Sequence, residues 1–138
     1  MNILYKTSAS STGGRNGHIV SSDGVLDLRL AIPKEMGGVG GAFTNPEQLF
    51  AAGYAACFGS ALAFIAGQRK IKLARSQVDA TVGIGHNGTG GFGLDVKLEV
   101  TIEGVPREEA QVLMDAAHQA CPYSNALKGN VPIELILK

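Results

Sequence analysis

Charge and tryptophan are scarce in this chain of 138 residues: it has no Trp, and only 17% of its residues are charged. The 12 Lys and Arg balance the 12 Asp and Glu, so no long-range field favours nucleic acid or an anionic membrane surface as a partner. Low charge leaves little repulsion between copies, and with 45% hydrophobic residues it predicts a homodimer. The length fits one domain, 1–138, with a core of its own.

Cysteine is equally scarce, with only two residues of this type. Residues 1–9 lack the basic region, apolar run and cleavage site of a secretory signal, which predicts a cytoplasmic protein. In that reducing compartment two cysteines are too few for a disulfide framework, and a pair that joins there is more often transient and chemical than structural. The cysteine count therefore favours redox chemistry.

Alternating apolar and polar residues predict six β-strands. The alternation is clearest at 78–84 and 94–102, which we expect to form a hairpin across the turn-rich segment 87–91. Asp23-Gly24 predicts a tight turn between two shorter strands. The other strands are predicted at 3–8, 18–22, 26–32 and 132–137.

A long helix is predicted to begin at Asn45-Pro46-Glu47, which offers a cap, a first-turn proline and a carboxylate near the positive end of the helix dipole. Residues 49–66 carry no charge, so we expect this helix to be buried nearly all round. A membrane span is the alternative for an apolar stretch of this length. Ala dominates the stretch and amphipathic strands flank it, which favours a core helix.

Two further helices are predicted before the last strand. The first, 106–120, has an apolar stripe opposite polar residues and is expected to lie on a sheet. Cys121-Pro122 ends it, because the residue before a proline is pushed out of the helical region. Pro122 in turn suits the first turn of a short helix that ends near residue 127.

The two cysteines are the candidate reactive groups. Cys57 lies within the apolar helix, where a free cysteine commonly packs as a small hydrophobe. Cys121 stands at a predicted helix N-terminus, where the dipole and unpaired amide groups favour a thiolate. Core packing is the alternative for both, and a metal site is another, because His118 precedes Cys121 by three positions. No paired-cysteine motif accompanies them, so we expect neither a metal nor another cofactor.

A reactive thiol needs a nearby cation, because an ordinary cysteine with a pKa of about 8.5 is mostly protonated at neutral pH. Arg15, in the glycine-rich loop 13–17, is the candidate cation, and Glu47 could orient its guanidinium through a bidentate pair. The alternatives are a solvated turn arginine and a carboxylate that stabilises the helix start. A second glycine-rich stretch, 37–41, lacks the Lys-Ser/Thr ending of a phosphate loop and is interpreted as a mobile flap.

Three segments carry a family resemblance: 13–17 (GGRNG), 45–58 (NPEQLFAAGYAACF) and 121–126 (CPYSNA). With them the chain resembles the organic hydroperoxide resistance proteins, which belong to the superfamily of the osmotically inducible protein C. The resemblance spans the whole chain. It implies an α+β fold with two antiparallel β-sheets around a long buried helix, in an intertwined homodimer whose active sites lie at the subunit interface.

The resemblance also implies an activity and residue roles. The family reduces organic and fatty-acid hydroperoxides, and its reductant is a dihydrolipoyl group on a protein or a small dithiol. Cys57 would be the peroxidatic thiolate, Cys121 the resolving thiol, and Arg15 and Glu47 the activating pair. A related thiol peroxidase of the osmotically inducible branch and a non-catalytic module for hydrophobic ligands remain alternatives.

Helix geometry constrains such a site. Glu47 and Cys57 are ten residues apart on one predicted helix, about 15 Å along its axis, so they cannot touch within one chain. If the pair activates Cys57, we expect the carboxylate to come from the partner subunit. The apolar side chains expected to contact an alkyl group are Tyr54, Phe50, Phe43 and Met36.

Overall fold

The computed structural model describes all residues from Met1 to Lys138 and has the α+β fold that the resemblance implies. Three α-helices accompany two sheets of three strands each. The chain divides into two compact units, Met1–Leu49 and Phe50–Lys138.

The first unit contains an antiparallel sheet of three short strands, β1 (Ala9–Thr12), β2 (His18–Ser21) and β3 (Asp27–Arg29). The predicted turn at Asp23-Gly24 joins β2 to β3, and Ser21 Oγ donates a hydrogen bond of 2.5 Å to Asp23 Oδ1. The strand predicted at 3–8 is wrong. Ile3, Leu4 and Tyr5 are exposed and meet no partner strand within the chain, so their apolar pattern has no sheet to join.

The second unit contains the predicted hairpin, with β4 (Arg75–His86) antiparallel to β5 (Phe92–Glu103) along twelve residue pairs. The last strand, β6 (Ile133–Leu137), runs parallel to β5. The prediction of two purely antiparallel sheets is therefore wrong for this sheet. Parallel neighbours need a long crossover connection, and the two helices α2 (Arg107–Ala120) and α3 (Pro122–Leu127) supply it.

The long helix α1 spans Pro46–Gln68. Its predicted cap is present, since the backbone N–H of Gln48 donates to Asn45 Oδ1 at 2.9 Å. By length and composition α1 could cross a membrane, with a mean hydropathy of 1.8, although the core helix of a soluble protein passes the same test. Only one face is buried within the chain, so the expectation of burial all round is wrong for a single copy; the buried residues are Tyr54, Phe58, Ala61, Leu62 and Ala66.

One apolar cluster forms the core of the second unit. It joins the buried face of α1 to alternate residues of β5, from Val96 to Ile102, and to the predicted stripe of α2. That stripe consists of Ala110, Leu113, Met114 and Ala117, all buried as expected. Cys121 belongs to the same cluster and is 0% exposed. The position of this cysteine is therefore set by core packing.

We expect Leu113→Ala to destabilise the protein by about 2–5 kcal/mol, because Leu113 is 0% exposed and its loss leaves a cavity between α2 and the sheet. The adjacent residue on the same helix, Val112, is 51% exposed, and Val112→Ala is the control. Urea unfolding measures both variants. Equal destabilisation of the two would contradict the packing described here.

Candidate active site

The two cysteines meet across the second unit. Cys57 lies on α1 and Cys121 at the junction of α2 and α3, and Cys121 Sγ donates a hydrogen bond of 3.7 Å to Cys57 Sγ. Both are free thiols; Cys121 is buried and Cys57 is half-buried. A disulfide needs the sulfurs at about 2.05 Å, so a small movement would join them. Only Cys57 is open to a reagent.

A backbone amide at the start of α3 interacts with Cys57 rather than with Cys121. Cys121 occupies the cap position and Pro122 the first turn, as predicted, but the Cys121 side chain makes no hydrogen bond to the amides of α3. The free backbone N–H of Tyr123 instead bonds to the sulfur of Cys57, which lowers the pKa of that thiol. The expected amide stabilisation of a thiolate is therefore found at the other cysteine.

Burial opposes that amide and is the larger effect. It raises the pKa of Cys57 above its ordinary value, and the contact with Cys121 raises it further. Within one chain Cys57 is therefore held as a neutral thiol at pH 7. A nucleophilic thiolate at this position needs a further positive charge or hydrogen-bond donor.

An apolar groove of about 160 Å³ lies over α3. Its walls are Phe50, Tyr123, Ala126 and Leu127, and the Phe50 and Tyr123 ring centroids are 6.0 Å apart. Phe50 is thus on the groove, while Tyr54 is 0% exposed and packs behind these rings. The three α3 residues were missed from the sequence, although their spacing of three and four positions places them on one helical face.

The first unit contains the predicted ion pair. Arg15 Nη1 and Nη2 donate to Glu47 Oε2 and Oε1 at 2.8 and 2.6 Å, a bidentate arrangement. Two glycines shape the loop: Gly13 has a φ of 76°, and a Cβ at Gly17 would lie 1.8 Å from the carbonyl oxygen of Thr12. The glycine-rich sequence is therefore a steric requirement for presenting the guanidinium.

Each partner of this pair shifts the other toward its charged form. The hydrogen bond with Arg15 lowers the pKa of Glu47, and that with Glu47 raises the pKa of Arg15. The side chains are 14% and 32% exposed respectively, so the pair is partly shielded from solvent. It is a stable cation and anion at every physiological pH.

Phe43 and Met36, the other predicted pocket residues, also lie in the first unit and are each 42% exposed. Phe43 lines a polar hollow of about 210 Å³, together with Lys34 and Glu35, and Met36 does not. Arg29 lies over the Phe43 ring at 5.5 Å. Backbone hydrogen bonds from Gly38 to Pro33 and from Gly40 to Ile32 hold the predicted flap against the preceding chain.

No group of three or more His, Cys, Asp and Glu side chains forms a metal-binding cluster. His118 packs its ring near Phe58, with centroids 6.4 Å apart, and its buried Nδ1 has no hydrogen-bond partner. His118 and Cys121 thus lack the further ligands of a closed zinc site.

The Arg15–Glu47 pair predicts a pH-dependent contribution to stability. Since Arg15 lowers the pKa of Glu47, the contribution is present above the ordinary carboxyl range and is lost as pH falls through the lowered value. We expect Glu47→Gln to destabilise the protein by roughly 1 kcal/mol near neutral pH and by progressively less in acid. Urea unfolding of parent and variant across the acid range measures the difference.

The control is Glu103→Gln, which removes the 3.5 Å pair with Arg75, whose side chains are 59% and 52% exposed. Such an open pair contributes little. A Glu47→Gln effect that does not change with pH would contradict the ion pair.

Comparison with known proteins identifies relatives of this chain. A family model described as OsmC-like protein matches residues 38–136. The organic hydroperoxide resistance protein of Xanthomonas axonopodis pv. citri is 52% identical over 98% of this chain and 95% of its own length. The organic hydroperoxide resistance protein OhrB of Bacillus subtilis is 46% identical over 98% of each chain.

Solved structures show the same fold. The organic hydroperoxide resistance protein from Elizabethkingia anophelis superposes with a TM-score of 0.96 at 51% identity, over 100% of this chain and 99% of that one. The OhrB structure of Bacillus subtilis superposes with a TM-score of 0.89 at 45% identity, over 99% and 100%. The similarity therefore covers both units.

Proposed function

The chain belongs to the OsmC-like family, among its organic hydroperoxide resistance proteins, and from that premise we propose that it is a thiol-dependent peroxidase. Its substrates are organic and fatty-acid hydroperoxides, which it reduces to alcohols. The observation that carries the proposal is the pair of free thiols 3.7 Å apart, of which only Cys57 is open to solvent.

The chemistry assigns one step to each thiol. The Cys57 thiolate attacks the distal peroxide oxygen, the O–O bond breaks, and the alkoxide leaves as the alcohol after taking up a proton. Cys57 is then a sulfenic acid, and the Cys121 thiol displaces its hydroxyl as water to form the disulfide. A dithiol, such as a dihydrolipoyl group on a protein, returns both cysteines to thiols by exchange.

The apolar groove on α3 supports an alkyl substrate. Phe50, Tyr123, Ala126 and Leu127 offer almost no polar atoms, so the groove suits the hydrocarbon part of a hydroperoxide. Tyr123 also bonds Cys57 through its backbone amide. One residue thus borders both the groove and the reactive sulfur.

The raised pKa of Cys57 supports activation from a second copy. Glu47 and Cys57 lie ten residues apart on the continuous helix α1, about 15 Å along its axis, so Glu47 does not reach the thiol of its own helix. We assign the activating Arg15–Glu47 pair at each Cys57 to the partner subunit. Its guanidinium stabilises the thiolate, and its carboxylate keeps the guanidinium oriented.

A homodimer is supported by the uncovered face of α1. The helix is apolar, yet only 28% of its most hydrophobic window is buried within one chain. Its exposed positions are mainly small residues, which allow a second helix to approach closely; they include Ala52, Ala56, Ser60 and Ala63. A second copy would cover this face and remove apolar surface from water.

An equimolar organic hydroperoxide is expected to consume two thiols per chain of the reduced protein. Intact mass should fall by two hydrogens, because the product is the Cys57–Cys121 disulfide. Thiol titration and mass spectrometry measure the two quantities. Cys121→Ser should lose its one thiol and gain oxygen at Cys57.

The control for that reaction is Cys57→Ser, whose buried Cys121 should remain a thiol. Survival of both thiols in the parent chain would refute the peroxidase and favour a non-catalytic module for hydrophobic ligands. Comparing rates for an alkyl hydroperoxide and hydrogen peroxide separates the proposed activity from a peroxidase of different substrate preference.

Mixed dimers test the shared site. Equal amounts of Cys57→Ser and Glu47→Ala chains are reassociated at random, and peroxidase activity is measured. If Glu47 acts across the interface, each mixed dimer has one intact site, so about a quarter of all sites should be active.

Each parent variant alone is the control and should be nearly inactive. If Glu47 acted on the Cys57 of its own chain, no site in any dimer would be intact. Absence of recovered activity, with mixed dimers present by native mass spectrometry, would refute sharing.

A further inference from the structure

A buried hydrogen bond lies behind the thiol pair. Tyr54 Oη and Ser124 Oγ are 2.8 Å apart, and the residues are 0% and 3% exposed. Burial raises the pKa of Tyr54, so its phenol keeps the proton and can donate to the serine. Apart from the contact between the thiols and the Tyr123 amide at Cys57, no other hydrogen bond to a side chain joins α1 to the segment that begins at Cys121.

The sequence positions of the two hydroxyls match those of the two thiols. Tyr54 precedes Cys57 by three residues on α1, which places both on neighbouring parts of one helical surface. Ser124 follows Cys121 by three residues, in the first turn of α3. The hydrogen bond therefore fixes the separation of α1 and α3 within one helical turn of the reacting sulfurs.

Apolar packing around this bond is close but less directional. The Tyr54 and Tyr123 rings have centroids 5.8 Å apart, and a Cβ at Gly53 would lie 3.2 Å from the Tyr123 hydroxyl. Such contacts hold α3 against α1 while tolerating small shifts along the surface. A hydrogen bond depends steeply on distance and angle, and an unpaired buried hydroxyl is costly.

Resting on the proposed function, we propose that Tyr54 and Ser124 are positioning residues for the resolving step: their hydrogen bond holds Cys121 against Cys57 so that the disulfide forms before further oxidation. Neither residue touches the peroxide. The step they serve joins Cys57–SOH and Cys121–SH into a disulfide and releases water. The competing step takes a second hydroperoxide, converts the sulfenic acid to a sulfinic acid and releases a second alcohol.

The deciding measurement is the fraction of Cys57 that ends as the disulfide and the fraction that ends as the sulfinic acid. Tyr54→Phe and Ser124→Ala each remove one hydroxyl of the pair. Rapid mixing with rising hydroperoxide, followed by mass spectrometry, gives the ratio of disulfide to sulfinic acid. We expect each variant to raise the sulfinic share about two- to tenfold at a given hydroperoxide concentration, the range that corresponds to the net value of one hydrogen bond.

The rate at which Cys57 first consumes peroxide should remain within about twofold of the parent, since the attacking thiolate and its activating pair are unchanged. Tyr5→Phe and Ser76→Ala are the matched controls, because both residues are exposed and make no side-chain hydrogen bond. They should give the parent's product ratio. The double variant should be no worse than the more affected single variant, because all three lack the same bond.

A second measurement does not use peroxide. Glutathione disulfide oxidises the dithiol to the protein disulfide and yields two glutathione thiols, and the equilibrium constant gives the effective concentration of one cysteine at the other. Without the hydrogen bond the dithiol samples more arrangements, so we expect this concentration to fall about two- to tenfold. Ser124→Thr keeps the hydroxyl and should restore it toward the parent value.

The outcomes separate the two proposals. Variants that fold and lose thermal stability, yet keep the parent's product ratio and effective concentration, would show a purely structural bond and overturn the positioning role. A parent chain that hydroperoxide does not oxidise would overturn the proposed function, while the glutathione equilibrium would still decide the role of the pair. If Ser124→Ala does not fold, Tyr54→Phe and Ser124→Thr decide it.

Discussion

Burial of one face of α1 is the constraint on which the rest of the second unit depends. Tyr54, Phe58 and Leu62 recur every four residues, are 0% exposed, and pack into one cluster with β5 and α2. Cys57 lies beside this stripe rather than on it, which explains why its sulfur is half-buried. A position in the stripe would close the thiol to reagents, and a position on the opposite face would separate it from Cys121.

The half-burial of Cys57 conflicts with what a nucleophilic thiol needs. A thiol packed against a core is desolvated and favours its neutral form, whereas nucleophilic attack needs the thiolate. Within one chain, the amide N–H of Tyr123 favours the thiolate of Cys57, but burial outweighs it. We propose that the complementary group is a charged Arg15, held by Glu47 and supplied by the partner subunit.

Local signals predicted much of this architecture, and nonlocal pairing accounts for what was missed. The cap at Asn45, the long hairpin and the stripe of α2 each follow from a pattern within a few residues. The parallel pairing of β6 with β5 does not, because strand direction depends on how two helices return the chain. The cysteines, Arg15 and Glu47 were proposed as site residues from chemistry and family resemblance. The amide of Tyr123 at Cys57 was not, because it depends on a contact between distant segments that no spacing in the sequence encodes.

The short helix α3 contributes several groups to the candidate site. Its cap residue is Cys121, its first free amide bonds to Cys57, its Ser124 hydroxyl bonds to Tyr54, and its outer face forms the apolar groove. Groups on one rigid turn cannot shift independently, so a displacement that widens the groove also alters the distance between the sulfurs. Effects of substitutions within α3 should therefore be coupled rather than additive. The proposed function then implies that the shape of the hydroperoxide in the groove and the fate of the oxidised thiol are linked through the same six residues.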